Sequence, residues 1–148
     1  MKSNLRIKVF VDTNVLIDYL VPAREKHDVA VALFGLIFTN RIEASFTTQS
    51  LLDASYILHR YPGFSDSTFR AALSEIIGRS NVDSINRFHL REALQDPVAD
   101  LEDNAQLAFA FDQCCDILLT HDAQLLSRPA PTPLQMMTPE AFLEKCRG

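Results

Sequence analysis

Short apolar runs alternate along the chain with longer segments in which apolar residues recur every three or four positions. The short runs, typical of buried strands, are IKVFV (7–11), IEASFTT (42–48), NVDSIN (81–86), DILLT (116–120) and PTPLQMM (131–137). The longer segments have the spacing of amphipathic helices. Strands that alternate with helices predict an α/β domain built on a mostly parallel sheet, and the prolines of the last run place it at the sheet edge.

Polar residues that can cap a helix mark where several of the predicted helices begin. The helix after the second strand is predicted to begin at Gln49–Ser50, and the next one at Asp66–Ser67. Thr138, with proline following at the first helical position, predicts the beginning of the last helix. Each of these three helices therefore has a start signal that the structure can test.

Length and composition are those of an ordinary globular protein. The 148 residues, 47% hydrophobic and 22% charged, predict a single domain that covers 1–148. No apolar run approaches the roughly 18 residues that a membrane span needs, so we expect no membrane partner. Three cysteines, an odd number without metal-binding spacing, favour reduced thiols in a cytoplasmic protein.

The acidic balance of the chain limits the ways in which it could bind nucleic acid. A net charge of −5 and a pI near 5.3 argue against a broad basic face that binds phosphate backbones. They do not exclude a nucleic-acid enzyme whose negative charge is concentrated in one metal-binding site. The positions of the 19 acidic residues therefore carry the argument.

Two aspartates directly follow predicted strands. Asp12 comes after the 7–11 strand, and Asp122 comes shortly after the 116–120 strand. Each has a local interpretation as the cap of the next helix. Open α/β sheets, however, build their sites beyond the carboxyl ends of the strands, and two acids at that edge favour a shared site.

Further acids lie on predicted helices. Asp53 is in the first turns of its helix, beside Leu51 and Leu52 and hence near the apolar face. Asp100 and Asp103 are one turn apart and share a helix face. Asp96 and Glu102 are predicted to lie at the solvated surface. Asp18 is predicted to lie either at the surface or against a neighbouring helix.

Convergence of these acids would require compensation of their charge. If Asp12, Asp53, Asp103 and Asp122 meet, mutual repulsion raises some of their pKa values unless a divalent cation neutralises them. Ligation by carboxylates alone favours Mg²⁺ or Mn²⁺ over zinc. Such an ion activates a bound water for attack on a phosphodiester.

Five segments resemble, in order, the motifs of the PIN domain family and, more narrowly, of its VapC-like single-domain bacterial members. They are VFVDTNVLIDYL, TTQSLLDASYIL, DLEDNAQLAFAF, DILLTHDAQLL and MMTPEAFLEK, and together they span nearly the whole chain. The resemblance implies an α/β/α sandwich with a twisted, mostly parallel sheet of four to five strands. It also implies cleavage of RNA with one or two Mg²⁺ or Mn²⁺ ions.

The resemblance assigns roles residue by residue. The acids that match the family's catalytic and metal-binding positions are Asp12, Asp53, Asp103 and Asp122, and the supporting residues are Asn14 and Thr120. Asp53 departs from the pattern, since the family usually has glutamate there, and its side chain is one methylene shorter. We infer that Asp100 compensates as an outer acid.

The resulting hypothesis is a metal-dependent endoribonuclease, the toxin of a toxin–antitoxin pair. RNA is the expected substrate, a cognate antitoxin the expected partner, and a homodimer the expected assembly by resemblance. Scattered basic residues are the candidates for RNA specificity: Arg24, Arg41, Arg60 and Arg87. His121 is expected to shape the pocket or contact substrate.

Three alternative functions differ in the residues that they require. A catalytically degenerate PIN-like domain that binds RNA or protein stays open, because Asp53 is short. A response-regulator receiver would require a lysine after the DILLT strand, where the chain has His121–Asp122. A haloacid-dehalogenase-type phosphatase would require a second aspartate at position 14, which is asparagine.

Overall fold

The computed structural model describes residues 5–148 and contains five strands and eight helices in that range. The strands are β1 (Lys8–Val11), β2 (Glu43–Thr47), β3 (Asn81–Asp83), β4 (Ile117–Leu119) and β5 (Gln135–Met137). The helices are α1 (Thr13–Leu20), α2 (His27–Phe38), α3 (Thr48–Leu58), α4 (Asp66–Arg79), α5 (Arg87–Ala93), α6 (Leu101–Asp112), α7 (Ala123–Leu126) and α8 (Pro139–Arg147).

The five strands form one parallel sheet in the order β3-β2-β1-β4-β5. Phe10 at the centre of β1 lies opposite Ser45 of β2 on one side and Leu118 of β4 on the other. β2 and β3 are added on one side of β1, and the chain then crosses to the other side of β1, where β4 and β5 are added. The strand order therefore reverses between β1 and β4, where open parallel sheets place their crevice.

Alternate residues of β1 enter two different cores because side chains of a strand point to opposite faces. Val9 and Val11 belong to the larger core, together with Phe34 of α2. Phe10 belongs to the smaller core, where its ring packs edge-on against Phe109 of α6 at 5.7 Å between centroids. Helices on both faces of a five-stranded parallel sheet confirm the predicted α/β/α sandwich, and β5 is an edge strand as its prolines required.

Two of the three predicted helix starts are wrong by a few residues. α3 begins directly after β2, with Thr47 as N-cap accepting from Ser50 N at 3.0 Å. Thr47 is still extended, so the strand leads into the helix without a loop and moves the cap ahead of Gln49–Ser50. α4 is capped by Ser65 rather than by Asp66–Ser67, whereas the Thr138 cap of α8 is confirmed.

The remaining general features concern membranes and cysteines. Within residues 5–148, no helix combines the length and apolar character required to cross a membrane. Cys115 is buried, while Cys114 and Cys146 are exposed, and all three are free thiols.

Candidate functional site

A cleft of about 420 Å³ opens at the carboxyl ends of the central strands, beside the point where the strand order reverses. Side chains from α1, α3, α6 and the β4–α7 connection line it, together with Arg24. Five acidic residues contribute to the lining: Asp12, Asp53, Glu102, Asp103 and Asp122. The four acids predicted to share a site therefore line one cleft, and Glu102 joins them.

Asp12 is both a helix cap and a buried carboxylate of the cleft. It follows β1 with extended backbone and is only 7% exposed. Its Oδ1 accepts from Thr13 N at 2.7 Å and from Gln106 Nε2 at 3.2 Å. Its Oδ2 accepts from Thr120 Oγ1 at 2.7 Å and from Asn14 Nδ2 at 3.2 Å. Four donors from three segments thus fix the orientation of this carboxylate, and the two interpretations of Asp12 are compatible.

Thr120 and Asn14 connect Asp12 to the β4–α7 segment. The Thr120 hydroxyl, fully buried, donates to Asp12 and accepts from Asp122 N at 3.0 Å. Asn14 Oδ1 accepts from His121 N at 3.3 Å. The two residues expected to support the site therefore lie between its first and last acids.

Asp122 repeats the arrangement of Asp12 one strand away. It is the N-cap of α7, and its Oδ1 accepts from Gln124 N at 2.9 Å. Because β4 pairs directly with β1, this second capping acid reaches the same cleft as the first. Helix capping and site formation coincide at both strand ends.

Asp103 on α6 is partly buried among the acids of the cleft. Partial burial, followed by repulsion from Asp100, Asp122 and Asp12, raises the pKa of Asp103 from 3.8 to about 6, with Arg128 opposing the shift. Asp100 is the N-cap of α6 and accepts from Asp103 N at 3.0 Å. Asp100 thus acts on Asp103 through its charge, and its compensation for the short side chain of Asp53 stays a prediction.

Asp53 and Glu102 approach the cleft from the two facing helices. Asp53 Oδ1 accepts a hydrogen bond from Gln49 Nε2, one turn earlier on α3, at 3.2 Å. Partial burial, and then repulsion from Asp53, Asp100 and Asp12, raises the pKa of Glu102. Glu102 is exposed, as predicted for a surface acid, and it also lines the cleft together with the other carboxylates.

Sequence reasoning did not assign Glu102 and Gln106 of α6 to the cleft. It also missed four other lining residues: Thr13, Ile17, Tyr56 and Ile57. Glu102 and Gln106 are four positions apart and therefore share a face of α6, together with Asp103 close by. This spacing could have indicated a shared polar face, but the apolar LAFAF segment that follows indicated burial of the helix instead. Gln106 is almost fully buried at 6% exposure, and its amide donates to Asp12.

The donor set of the cleft fits a hard divalent cation in kind. Its acids supply carboxylate oxygens only, as Mg²⁺ and Mn²⁺ prefer. The pKa values of Asp103 and Glu102 are raised first by partial burial and then by repulsion, and such an ion would relieve the repulsion. Within residues 5–148, however, no three His, Cys, Asp or Glu side chains stand close enough together to hold an ion as they are. Binding therefore requires the carboxylates to move toward one another.

Among the described residues, Arg24 is the one basic side chain that lines the cleft, and it is held in place by Asp18. Asp18 is only 3% exposed, and its Oδ1 accepts from Arg24 Nε at 2.7 Å. His121 Nε2 lies 3.2 Å from the other Asp18 oxygen. The surface interpretation of Asp18 is therefore wrong, because two basic side chains cover it, and its contact with Arg24 links it to the cleft.

The sequence of the chain matches a known family and a curated relative. The family described as PIN domain matches residues 8–124. Ribonuclease VapC1 of Aquifex aeolicus (strain VF5) is 25% identical over 141 residues, which cover 93% of this chain and 94% of that protein.

Solved structures share the fold. VapC20 of Mycobacterium tuberculosis, described as a sarcin–ricin loop cleaving toxin, superposes with a TM-score of 0.64 at 15% identity, over 79% of this chain and 92% of that chain. A chain of VapBC2 from Rickettsia felis, solved bound to a DNA fragment from the VapBC2 promoter, superposes with a TM-score of 0.61 at 12% identity. The superposition covers 89% of this chain and 98% of that chain. With a family match over most of its length and this architecture, the chain belongs to the PIN domain family.

Proposed function

We propose that this protein is a metal-dependent endoribonuclease that hydrolyses phosphodiester bonds of RNA. The observation that carries the proposal is the single cleft in which Asp12, Asp53, Asp103 and Asp122 meet at the reversal point of the sheet. Its relative from Aquifex aeolicus bears the name ribonuclease, and the neighbour from Mycobacterium tuberculosis is described as cleaving the sarcin–ricin loop. Both names support RNA as the substrate class.

The four aspartates would hold Mg²⁺ or Mn²⁺, with Glu102 as an additional carboxylate at the same wall. When bound, the ion supplies an activated water and stabilises negative charge on the phosphate. The Thr120 hydroxyl and the Asn14 amide hold Asp12 in a fixed direction, so that this ligand is oriented before substrate arrives.

The α3 side of the cleft offers a surface for a base. Tyr56 lines the cleft and is 64% exposed, and Ile57 lies beside it. Arg60, one of the predicted specificity residues, places its guanidinium 4.5 Å from the centroid of the Tyr56 ring. An aromatic ring at this position can stack with an unpaired base, which suits single-stranded RNA.

An antitoxin and a second copy of the chain are the proposed partners, in the cytoplasm. The VapBC2 complex of Rickettsia felis supports a toxin–antitoxin pair. Exposed apolar side chains on α3 and on the α5–α6 connection support a protein interface: Leu52 is 69% exposed, Leu94 66% and Val98 92%. Three free thiols fit a reducing compartment. Light scattering of the purified chain, alone and coexpressed with its neighbouring gene product, measures both assemblies.

A degenerate PIN-like domain that binds RNA without cleaving it is the second candidate. It is favoured by the lack, within residues 5–148, of three carboxylates placed for an ion and by the short side chain of Asp53. Calorimetric titration with Mg²⁺ or Mn²⁺, combined with RNA cleavage on the same sample, distinguishes the two. Binding of RNA without metal uptake or cleavage would favour this second candidate.

Asp12→Asn is the direct test of the proposed activity. Asparagine retains the cap but removes the charge, so cleavage should fall by roughly 1000-fold or more, in line with several kcal/mol of lost charge stabilisation. Asp28→Asn, on the exposed first turn of α2, is the matched control and should cleave like the wild type. Wild-type cleavage rates in Asp12→Asn would remove Asp12 from the mechanism.

A further inference from the structure

Arg24 is held in one position at the edge of the acidic cleft. It lies in the α1–α2 connection, where its Nε donates to Asp18 at 2.7 Å and its Nη1 donates to Tyr61 Oη at 2.8 Å. The guanidinium is therefore restricted from two sides, by Asp18 on α1 and by Tyr61 in the α3–α4 connection. Its side chain is nevertheless 33% exposed and lines the cleft.

Part of the guanidinium has no partner in the protein. Arginine offers five N–H donors in a planar fork, and Asp18 and Tyr61 occupy one nitrogen each. Nη2 has no hydrogen-bond acceptor among residues 5–148. The exposed part of the group is thus available to an external acceptor, and arginine is well suited to bind phosphate oxygens through paired N–H groups.

The charge around the cleft makes such a contact useful for an RNA strand. Five carboxylates line the cleft, and Arg24 is the one basic side chain that joins them within the described range. A metal ion would neutralise the carboxylates near the scissile bond but would leave the rest of the anionic strand unpaired. A fixed arginine at the edge could hold a neighbouring phosphodiester at little further cost in side-chain ordering.

Arg24 also lies between the acidic cleft and a second hollow. Together with Asn14 it lines this hollow of about 590 Å³, whose other lining residues include basic ones, Lys26 and His121, and acidic ones, Asp18, Glu25 and Glu140. Arg24 and Asn14 therefore separate the acidic cleft from the second hollow. A strand that continued from one into the other would pass directly over the Arg24 guanidinium.

We propose that Arg24, positioned by the buried Asp18, binds a phosphodiester of the RNA strand beside the acidic cluster and is a substrate-binding residue of the cleft. This inference rests on the proposed ribonuclease function and deepens it. The alternative is that the Asp18–Arg24–Tyr61 contacts serve only to fix the α1–α2 connection. The two possibilities differ in how RNA affinity depends on salt.

The test measures binding of a fluorescein-labelled, unstructured RNA by anisotropy at several KCl concentrations in Mg²⁺. All proteins carry Asp12→Asn so that the RNA stays intact, and Arg24→Gln is compared with that parent. Losing one phosphate contact should reduce the slope of log affinity against log salt by about 0.7 for a single strand. Affinity at low salt should fall several-fold. Arg70→Gln, which removes another arginine paired with an aspartate, on α4, is the control and should leave both unchanged.

Two further variants separate RNA binding from folding. Arg24→Lys retains the charge and should retain the slope while losing part of the affinity. Asp18→Asn combined with Arg24→Gln removes both charges, so that no buried carboxylate is left unpaired, and it replaces the single variant if that one does not fold. A slope equal to that of Arg70→Gln in a folded variant would overturn the inference alone. Failure of the parent to bind RNA, with no cleavage by the wild type, would overturn the proposed function as well.

Discussion

The two sides of the cleft are built in different ways. The strand side, made of Asp12, Asn14, Thr120 and Asp122, is a connected set of hydrogen bonds at the ends of β1 and β4. The helix side, made of Asp53, Glu102 and Asp103, has few hydrogen bonds between its side chains, and the pKa values of Glu102 and Asp103 are raised by burial and repulsion. The strand side is therefore fixed before any ligand binds, whereas the helix side carries negative charge that few hydrogen bonds compensate.

Thr120→Val should have the largest effect of the changes that compare the two sides. Valine keeps the shape of threonine but removes the hydroxyl that donates to Asp12 and accepts from Asp122 N. Loss of such a support to a metal ligand typically costs 10- to 100-fold in metal affinity or activity, so we expect a decrease of about that size. Mn²⁺ titration calorimetry and RNA cleavage measure it.

Thr39→Val is the matched control for Thr120→Val. The Thr39 hydroxyl donates to a backbone oxygen at the end of α2, away from the cleft, so cleavage should be unchanged. Equal activity of both valine variants would show that the hydrogen bonds of the strand side do not orient Asp12 for its role.

Asp103→Asn tests the helix side through the pH dependence of stability. The native pKa of Asp103 is about 6 against an ordinary 3.8, so the ionised group costs stability above the native value. That cost disappears as the pH falls from about 7 to about 4, because the native state takes up its proton first. Without metal, the wild type should therefore gain about 1 kcal/mol relative to Asp103→Asn over this range, after allowance for solvent screening.

The measurement is urea unfolding at several pH values in metal-free buffer, with wild type and variant compared at each. Saturating Mg²⁺ should abolish the difference in slope, since an ion in the cleft favours the ionised carboxylate. A constant difference between the two proteins at every pH would mean that the pKa of Asp103 is not raised in the native state.

Asp53→Glu should give the smallest effect, and an increase. It restores the glutamate that the family usually has, and the added methylene can replace a bridging water between the carboxylate and the ion. Releasing one ordered water contributes little, so metal affinity should rise by about threefold or less. Calorimetry measures this, with Asp66→Glu on the exposed side of α4 as the control.

Most of the fold could be predicted because it depends on local patterns. The apolar runs located all five strands, and the prolines at 131 and 133 correctly placed β5 at an edge. The motif order predicted the family, which the match over residues 8–124 confirms. That the whole of 1–148 forms one domain stays a prediction, as do the catalytic and metal-binding roles of the four aspartates.

The errors arose where one side chain depends on a distant one. Asp18 looks like a surface acid in its own helix, but it is covered by Arg24 from the next connection and by His121 from the β4–α7 connection. These contacts of Asp18 leave no pattern in the sequence around it. Glu102 is exposed as predicted, but its place in the cleft beside Asp53 depends on the approach of α3.

The double role of the capping aspartates has a practical consequence for preparing an inactive protein. Alanine at position 12 or 122 would remove a helix cap together with the charge, which typically costs about 1 kcal/mol in addition to any loss of activity. Asp53 and Asp103 cap no helix, so alanine there leaves the helix starts intact. An inactive protein for RNA-binding or coexpression experiments is therefore better made with replacements on α3 or α6, where loss of cleavage and loss of soluble yield can be told apart.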